Sequence, residues 1–250
     1  MLSKVLLTLG VFFIFLYLFY SYIKGAAVMA SRVLLVSAFI YGYNEIRLEA
    51  DLALPVPPGV SMTDETAHKL QLARVIPDLK HSYPMTCEFC GKPAMENHLN
   101  FASWSHLPPK GQMWMGRPSP GPMGNAYIHA VCSMSGPCGK LAQGMANMMG
   151  GLAIATGTPP ERTQIQMEDM EEMRFPKNGS CAYCQTDESI KKPKSRCSKC
   201  KATQYCGPAC QQSDWSRHKV TCKWIKGIRF VDEDGKMTIW KENPDPIVRN

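Results

Sequence analysis

Apolar positions fall into one long block near the start of the chain, one short run after it, and scattered periodic stretches beyond. The block Val5–Ile23 reads VLLTLGVFFIFLYLFYSYI, 19 residues without a charge. As a helix rising about 1.5 Å per residue it reaches roughly 30 Å, the thickness of bilayer hydrocarbon. Tyr17, Tyr20 and Tyr22 gather toward one end, as interfacial aromatics do, and Lys4 and Lys24 bracket it. The expectation is an N-terminal apolar helix anchoring the protein in a membrane, with residues 1–28 set apart from the rest. Two alternatives stand beside it. One is a cleaved signal peptide with small residues between Ala26 and Ala30. The other is a translation start at Met29. The short run Val33–Tyr43, VLLVSAFIYGY, is too short to span and predicts a buried helix or strand.

Leu54–Val60, LPVPPGV, is a stiff proline-rich joint. Thr63–Ile76 has helical spacing, with Thr63 as cap, Thr66, Leu70, Leu72 and Ile76 near one another, and Pro77 as stop. Trp104–Asn125 is rich in Pro, Gly and Met without a period and is predicted as a long loop. Lys140–Met149 predicts a short helix with Met145, Met148 and Met149 on one side. Thr158-Pro-Pro-Glu161 has the form of a capping box with proline at the first helical position, predicting a helix to Phe175 with an acidic side from Glu168, Asp169, Glu171 and Glu172. Residues 225–250 predict a basic, hairpin-like tail.

Composition lowers the expected size of any continuous core. The 45% apolar content is inflated by the N-terminal block, and 19 Gly with 19 Pro imply short elements and long connections. The formal charge is +7 over 250 residues, yet Cys181–Arg229 alone holds 11 Lys/Arg against Asp187, Glu188 and Asp214. Such a surface attracts nucleic acid, anionic lipid or acidic proteins, or is simply well solvated. Eleven cysteines are an odd number and their spacing suits metal better than disulfides. Zinc thiolates favour a reducing compartment, so the C-terminal two-thirds is expected inside the cell, in cytoplasm or nucleus.

The decisive stretch is Cys181–Cys222: CAYC, CSKC, then Cys206-x3-Cys210 and His218-x3-Cys222. Eight candidate ligands, Cys181, Cys184, Cys197, Cys200, Cys206, Cys210, His218 and Cys222, suffice for two tetrahedral zinc ions. Spacing alone leaves sequential and interleaved pairing equally open. The run YCGPACQQSDWSRHKVTC resembles the second half of a MYND finger: Tyr205 before Cys206, Gln211 after Cys210, then Asp214-Trp215, His218 and Cys222. The resemblance implies that Cys181, Cys184, Cys206 and Cys210 hold one zinc and Cys197, Cys200, His218 and Cys222 the other. It also implies a groove for proline-containing partner peptides involving Tyr205, Gln211 and Trp215. An aromatic face packs on a proline ring while an amide anchors extended backbone.

Cys87-Glu-Phe-Cys90-Gly91 is a further knuckle, and His129-Ala-Val-Cys132 offers a second pair. Cys87, Cys90, His129 and Cys132 form a candidate third site. Cys138 is the substitute ligand, and His98 and His106 are remote ones.

The expected fold class is a small, irregular, zinc-stapled α+β protein, with an interleaved two-zinc finger, a second zinc-knuckle region and the N-terminal apolar helix. The expected divisions are 1–28 apolar, 29–84 linker and short helix, 85–140 knuckle region, 141–178 linker and acidic helix, 179–224 finger, and 225–250 tail. The function expected is a zinc-binding protein-interaction adaptor, not an enzyme. No segment resembles the SET methyltransferase domain that accompanies some MYND fingers, and a catalytic zinc needs an open coordination position. The alternative is a nucleic-acid-binding transcriptional regulator using the basic face. Its stacking tryptophans are limited to Trp215 and Trp224, and no groove-reading helix is evident.

Overall fold

The chain was described from a computed structural model, which covers residues 32–155 and 175–244. The apolar block at 5–23 and most of the acidic helix expected from Thr158 to Phe175 lie outside the described residues. Among those described, no helix is long and apolar enough to cross a membrane.

The run after Arg32, apolar at every position but Ser37, forms a strand. In β1 (Val33–Tyr41), Leu34, Val36, Ala38 and Ile40 point one way and are all at most 2% exposed. β2 (Arg47–Pro55) returns antiparallel in a register that sets Leu54, Leu52, Ala50 and Leu48 opposite them. These two strands lie at the middle of a six-stranded mixed sheet. The remaining members are β3 (Glu96–Trp104), β6 (Met123–Val131), β9 (Ile225–Val231) and β10 (Met237–Lys241), in the order β10-β9-β2-β1-β6-β3. Only the β1–β6 pair is parallel. Phe101 on β3 and Ala126 and Ile128 on β6 extend the apolar face. Gly124 on β6 leaves room for the Phe101 ring, which a Cβ would meet at 2.8 Å. Within the stretch 29–84, expected as linker and short helix, β1 and β2 supply the centre of the sheet.

The region expected as a loop from Trp104 to Asn125 is shorter than that. It holds the end of β3, a two-stranded hairpin of β4 (Met113–Trp114) and β5 (Arg117–Pro118), and the start of β6. The tail 225–250 does form the β9–β10 hairpin, but β9 also pairs with β2 and so belongs to the sheet.

Helix α1 (Glu65–Lys80) covers the apolar face with Leu72, Val75 and Leu79. Asp64, not Thr63, caps it, its carboxylate accepting from the Ala67 N–H at 3.0 Å. Leu70 is 56% exposed. Pro77 does not stop the helix. Its carbonyl still accepts from the His81 N–H, and the final turn buries Asp78 and Leu79, so tertiary packing overrides the local signal. Helix α2 (Pro137–Ala155) follows β6 and runs longer than the Lys140–Met149 expected. Two further short strands, β7 (Ser195–Arg196) and β8 (Gln204–Tyr205), pair with each other ahead of α3 (Pro208–Cys222).

On the far face of β2, Glu49 and Asp51 are buried, and Arg229 of β9 pairs with both, at 3.5 and 2.7 Å. Buried charge is tolerable there because it is paired. The main apolar cluster runs without a break from β1, β2 and α1 into Cys181, Cys197, Cys200, Tyr205, Cys222 and Trp224.

Candidate metal centres

The segment 181–222 begins with two knuckles of the same construction. In each, the residue after the second cysteine takes left-handed backbone, Gln185 at φ 53° and Lys201 at φ 60°. Each sends its N–H back to the first cysteine's carbonyl, at 2.8 and 2.9 Å. That turn brings the two sulfurs of a Cys-x2-Cys pair to one side. The other four ligands come from α3 and the turn before it. Pro208 pre-sets the first helical turn, and His218 and Cys222, four apart, share a helix face.

The ligand atoms of Cys181, Cys184, Cys206 and Cys210 all lie within 4.8 Å of one another, and so do those of Cys197, Cys200, His218 and Cys222. This is the interleaved grouping. Cys184 and Cys210 sulfurs are 3.6 Å apart, Cys197 and Cys222 sulfurs 3.8 Å, and Cys200 sulfur and His218 Nε2 3.6 Å. A zinc–sulfur bond of about 2.3 Å in a tetrahedron requires edges of about 3.8 Å, so both groups fit zinc. All the cysteines are free.

The second group is electrostatically tuned. Hydrogen bonds from Cys200 and Cys222 hold the Cys197 thiol far below its usual range, while the Cys222 thiol, hydrogen-bonded to Cys197, is pushed far above. The cluster thus favours a thiolate at Cys197, the form in which cysteine binds a metal. Burial disfavours charge on His218, but hydrogen bonds to Asp78, then Cys197 and Cys200, outweigh it and push its pKa up to about 11. The Asp78 carboxylate lies 2.9 Å from His218 Nδ1. A proton held on Nδ1 leaves Nε2 as the metal ligand, the arrangement by which outer carboxylates orient zinc-binding imidazoles.

A family model, the MYND finger, matches residues 181–222. Residues 181–222 are a MYND finger. Over 55 residues the chain is 57% identical to Tudor domain-containing protein 1 of Homo sapiens, covering 22% of this chain and 4% of that protein. Over 50 residues it is 43% identical to SET domain and MYND-type zinc finger protein 6 of Schizosaccharomyces pombe, covering 20% and 10%. Over 54 residues it is 41% identical to SET domain-containing protein 14 of Caenorhabditis elegans, covering 22% and 12%. The chain thus spans no more than 12% of the length of these relatives. No solved structure matches. MYND fingers are zinc-binding protein-interaction modules, and the chain carries one.

Of the three residues expected at a peptide groove, the structure separates one. Tyr205 is 1% exposed; its hydroxyl donates to Asp214 Oδ2 at 2.8 Å, and its ring packs edge-on against His218. It presents no face to a partner. The reason is its place on β8, under α3. Trp215 is 42% exposed and Gln211 half-buried, one turn apart on the same side of α3. Tyr183 in the first knuckle is 52% exposed, an aromatic the sequence reading passed over.

The most consequential residue the sequence reading missed is Asp78. It is wholly buried at the end of α1 and receives hydrogen bonds from Arg217 at 2.8 Å, Thr203 at 3.2 Å and Thr221, besides its contact with His218. Burial raises its pKa, but His218 and then Arg217 more than compensate and hold it below the usual carboxylate range. An acid in a helix some 140 positions from its imidazole leaves no sequence signal.

The middle cluster differs from expectation in one ligand. Cys87, Cys90, Cys132 and Cys138 have sulfurs within 4.8 Å of one another, and His129 is not among them. His129 sits on β6, whereas Cys132 lies just past the end of that strand, in the turn toward α2. His129 instead places Nδ1 2.7 Å from Glu88 Oε2 and stacks near Tyr41 and His98. Neither His98, on the same sheet face, nor His106 joins the cluster.

Proposed function

We propose that this protein is an interaction adaptor whose MYND finger takes proline-containing peptides of partner proteins across the exposed side of α3. The observation that carries the reading is Trp215. A large aromatic ring stays 42% exposed on α3 although it packs edge-on against His218, the ring centroids 6.0 Å apart, and Gln211 lies one turn before it. The indole would pack on a proline ring and the Gln211 amide would hydrogen-bond the extended backbone beside it. Trp215 is not a ligand, and its exposure to solvent is not required for zinc.

Catalysis is not part of this proposal. Each finger centre has four protein ligands, which leaves no coordination position for a substrate or water. Free cysteines throughout suit a reducing compartment, so we place the finger in the cytoplasm or nucleus.

The test is binding of a panel of proline-containing peptides by full-length protein. Trp215→Ala is expected to keep its finger zinc yet lose about 2 kcal/mol of binding, roughly thirtyfold in Kd. Gln211→Ala is expected to lose about 1 kcal/mol, the worth of one hydrogen bond. Undiminished binding by Trp215→Ala would move the partner site off this side of α3. Loss of binding on reversing Lys191, Lys192 and Lys194, with steep salt dependence, would instead favour the nucleic-acid reading.

A further inference from the structure

Outside residues 181–222, four thiols meet where β6 ends and α2 begins. Cys87 and Cys90 come from a knuckle before β3, Cys132 follows β6, and Cys138 lies in the first turn of α2. The Cys90 and Cys132 sulfurs are 3.8 Å apart, the edge of a zinc–sulfur tetrahedron. The knuckle repeats the construction of the two in the finger. Gly91, directly after the second cysteine, has φ 69°, and its N–H donates to the Cys87 carbonyl at 2.9 Å. Three copies of one turn therefore occur among the described residues, and two of them belong to the finger's zinc centres.

The surroundings give this corner little apolar support of its own. The apolar cluster at this corner is separate from the main core, and its buried members are Cys87, Val131, Cys138 and Ala142. Two of those four are thiol ligands, so little hydrophobic material remains to hold α2 in place. The helix itself leaves Leu141, Met145 and Met148 exposed at 55%, 39% and 68%. Yet its start is closely fitted. A Cβ on Gly139 would lie 2.1 Å from the Met134 carbonyl oxygen, and the Met134 N–H donates to Glu96 on β3. Such a tight corner with so small a core requires a covalent or coordinate fastening.

We propose that Cys87, Cys90, Cys132 and Cys138 hold a third structural zinc, an all-thiolate centre that fastens the start of α2 to the sheet. On binding, four thiols release four protons to solvent and give four zinc–sulfur bonds, with no change of oxidation state. The tetrathiolate carries two negative charges, and Lys92 and Lys140 each lie two positions beyond a ligand. His129 takes no part, being held by Glu88 on the sheet face. The fastening presents the exposed Leu141–Met145–Met148 side of α2 in a fixed orientation.

The experiment uses the full chain in mild detergent, reconstituted with zinc or with cobalt. Native mass spectrometry is expected to count three zinc ions per chain, and cobalt spectra to show two all-thiolate centres and one with a histidine. Cys138→Ser is expected to reduce the count to two while both finger centres remain, and to make Lys140 newly open to trypsin. His129→Ala is expected to retain three. A count of two in the parent chain overturns the proposal. Two histidine-containing cobalt centres, or loss of a zinc in His129→Ala but not in Cys138→Ser, also overturns it by giving the ligand position to His129. Should Cys138→Ser fail to fold, the cobalt spectrum of the unmutated chain still decides between these outcomes. None of these results bears on whether Trp215 receives a peptide.

Discussion

The two centres of the MYND finger use nearly the same ligands but sit in different surroundings. At the first, Cys181 is buried, Cys184 exposed, and Cys206 and Cys210 half-buried. At the second, Cys197, Cys200, His218 and Cys222 are all buried, and the imidazole is held by Asp78 from α1. Arg217 pairs with the same Asp78 and with Asp214, which in turn accepts from Tyr205. Arg196, just ahead of Cys197, lies 3.4 Å over the Trp240 ring of β10 and donates to the Ser82 carbonyl. The second centre is thus an interior feature of the whole fold, while the first is closer to a surface clasp. The difference teaches that this finger is not a detachable bead on a string. One half of it is part of the core that the sheet and α1 build.

The largest effect that would test this contrast is loss of a ligand. Cys200→Ser should remove the second zinc and abolish cooperative thermal unfolding of the sheet as well as the finger, since structural zinc contributes on the order of 10 kcal/mol to folding. Cys184→Ser should remove the first zinc and leave the sheet's transition in place. Circular dichroism melts of the two variants, side by side, check it; identical melts would erase the distinction.

Next in size is Asp78→Asn, which keeps the shape and removes the charge. Outer-sphere partners of zinc histidines typically account for 10–100-fold in metal affinity. Chelator competition should show a loss of that order at the second centre and none at the first. An equal loss at both would mean that Asp78 acts through general stability and not through His218. Smallest is Tyr205→Phe, which deletes the hydrogen bond to Asp214 while Arg217 still satisfies that carboxylate. A cost of about 1 kcal/mol in denaturant unfolding is expected, with both zinc ions retained. Peptide binding unaffected by this change would agree with the buried position of Tyr205.

Much of the chemistry was readable from residues 181–222 because ligand spacing is local. A Cys-x2-Cys turn fixes two sulfurs wherever the rest of the chain goes, and His218 and Cys222 share a helix face by period alone. The α+β class was readable for the same reason. The short run from Val33 is apolar at nearly every position and reads equally as buried helix or strand, which pairing with β2 and β6 decides. What failed were inferences that depended on neighbours. His129 looked like a ligand because it stood three positions before Cys132, but His129 is held on β6 by Glu88 while Cys132 lies past the strand's end, beside the start of α2. Tyr205 looked like a groove residue, but β8 lies beneath α3. Pro77 looked like a stop, but burial of Asp78 and Leu79 carried the helix past it.

By itself, then, the sequence determined the eight finger ligands as a group and the Cys-x2-Cys turns that pair their sulfurs. These follow from bond geometry and side-chain periods acting over a few residues. Only the tertiary structure decided that Asp78 reaches His218, that Cys138 replaces His129, and that the finger shares its core with the sheet. Those pairings join residues dozens to more than a hundred positions apart, and they are set by which faces must be buried together, a condition no local pattern encodes.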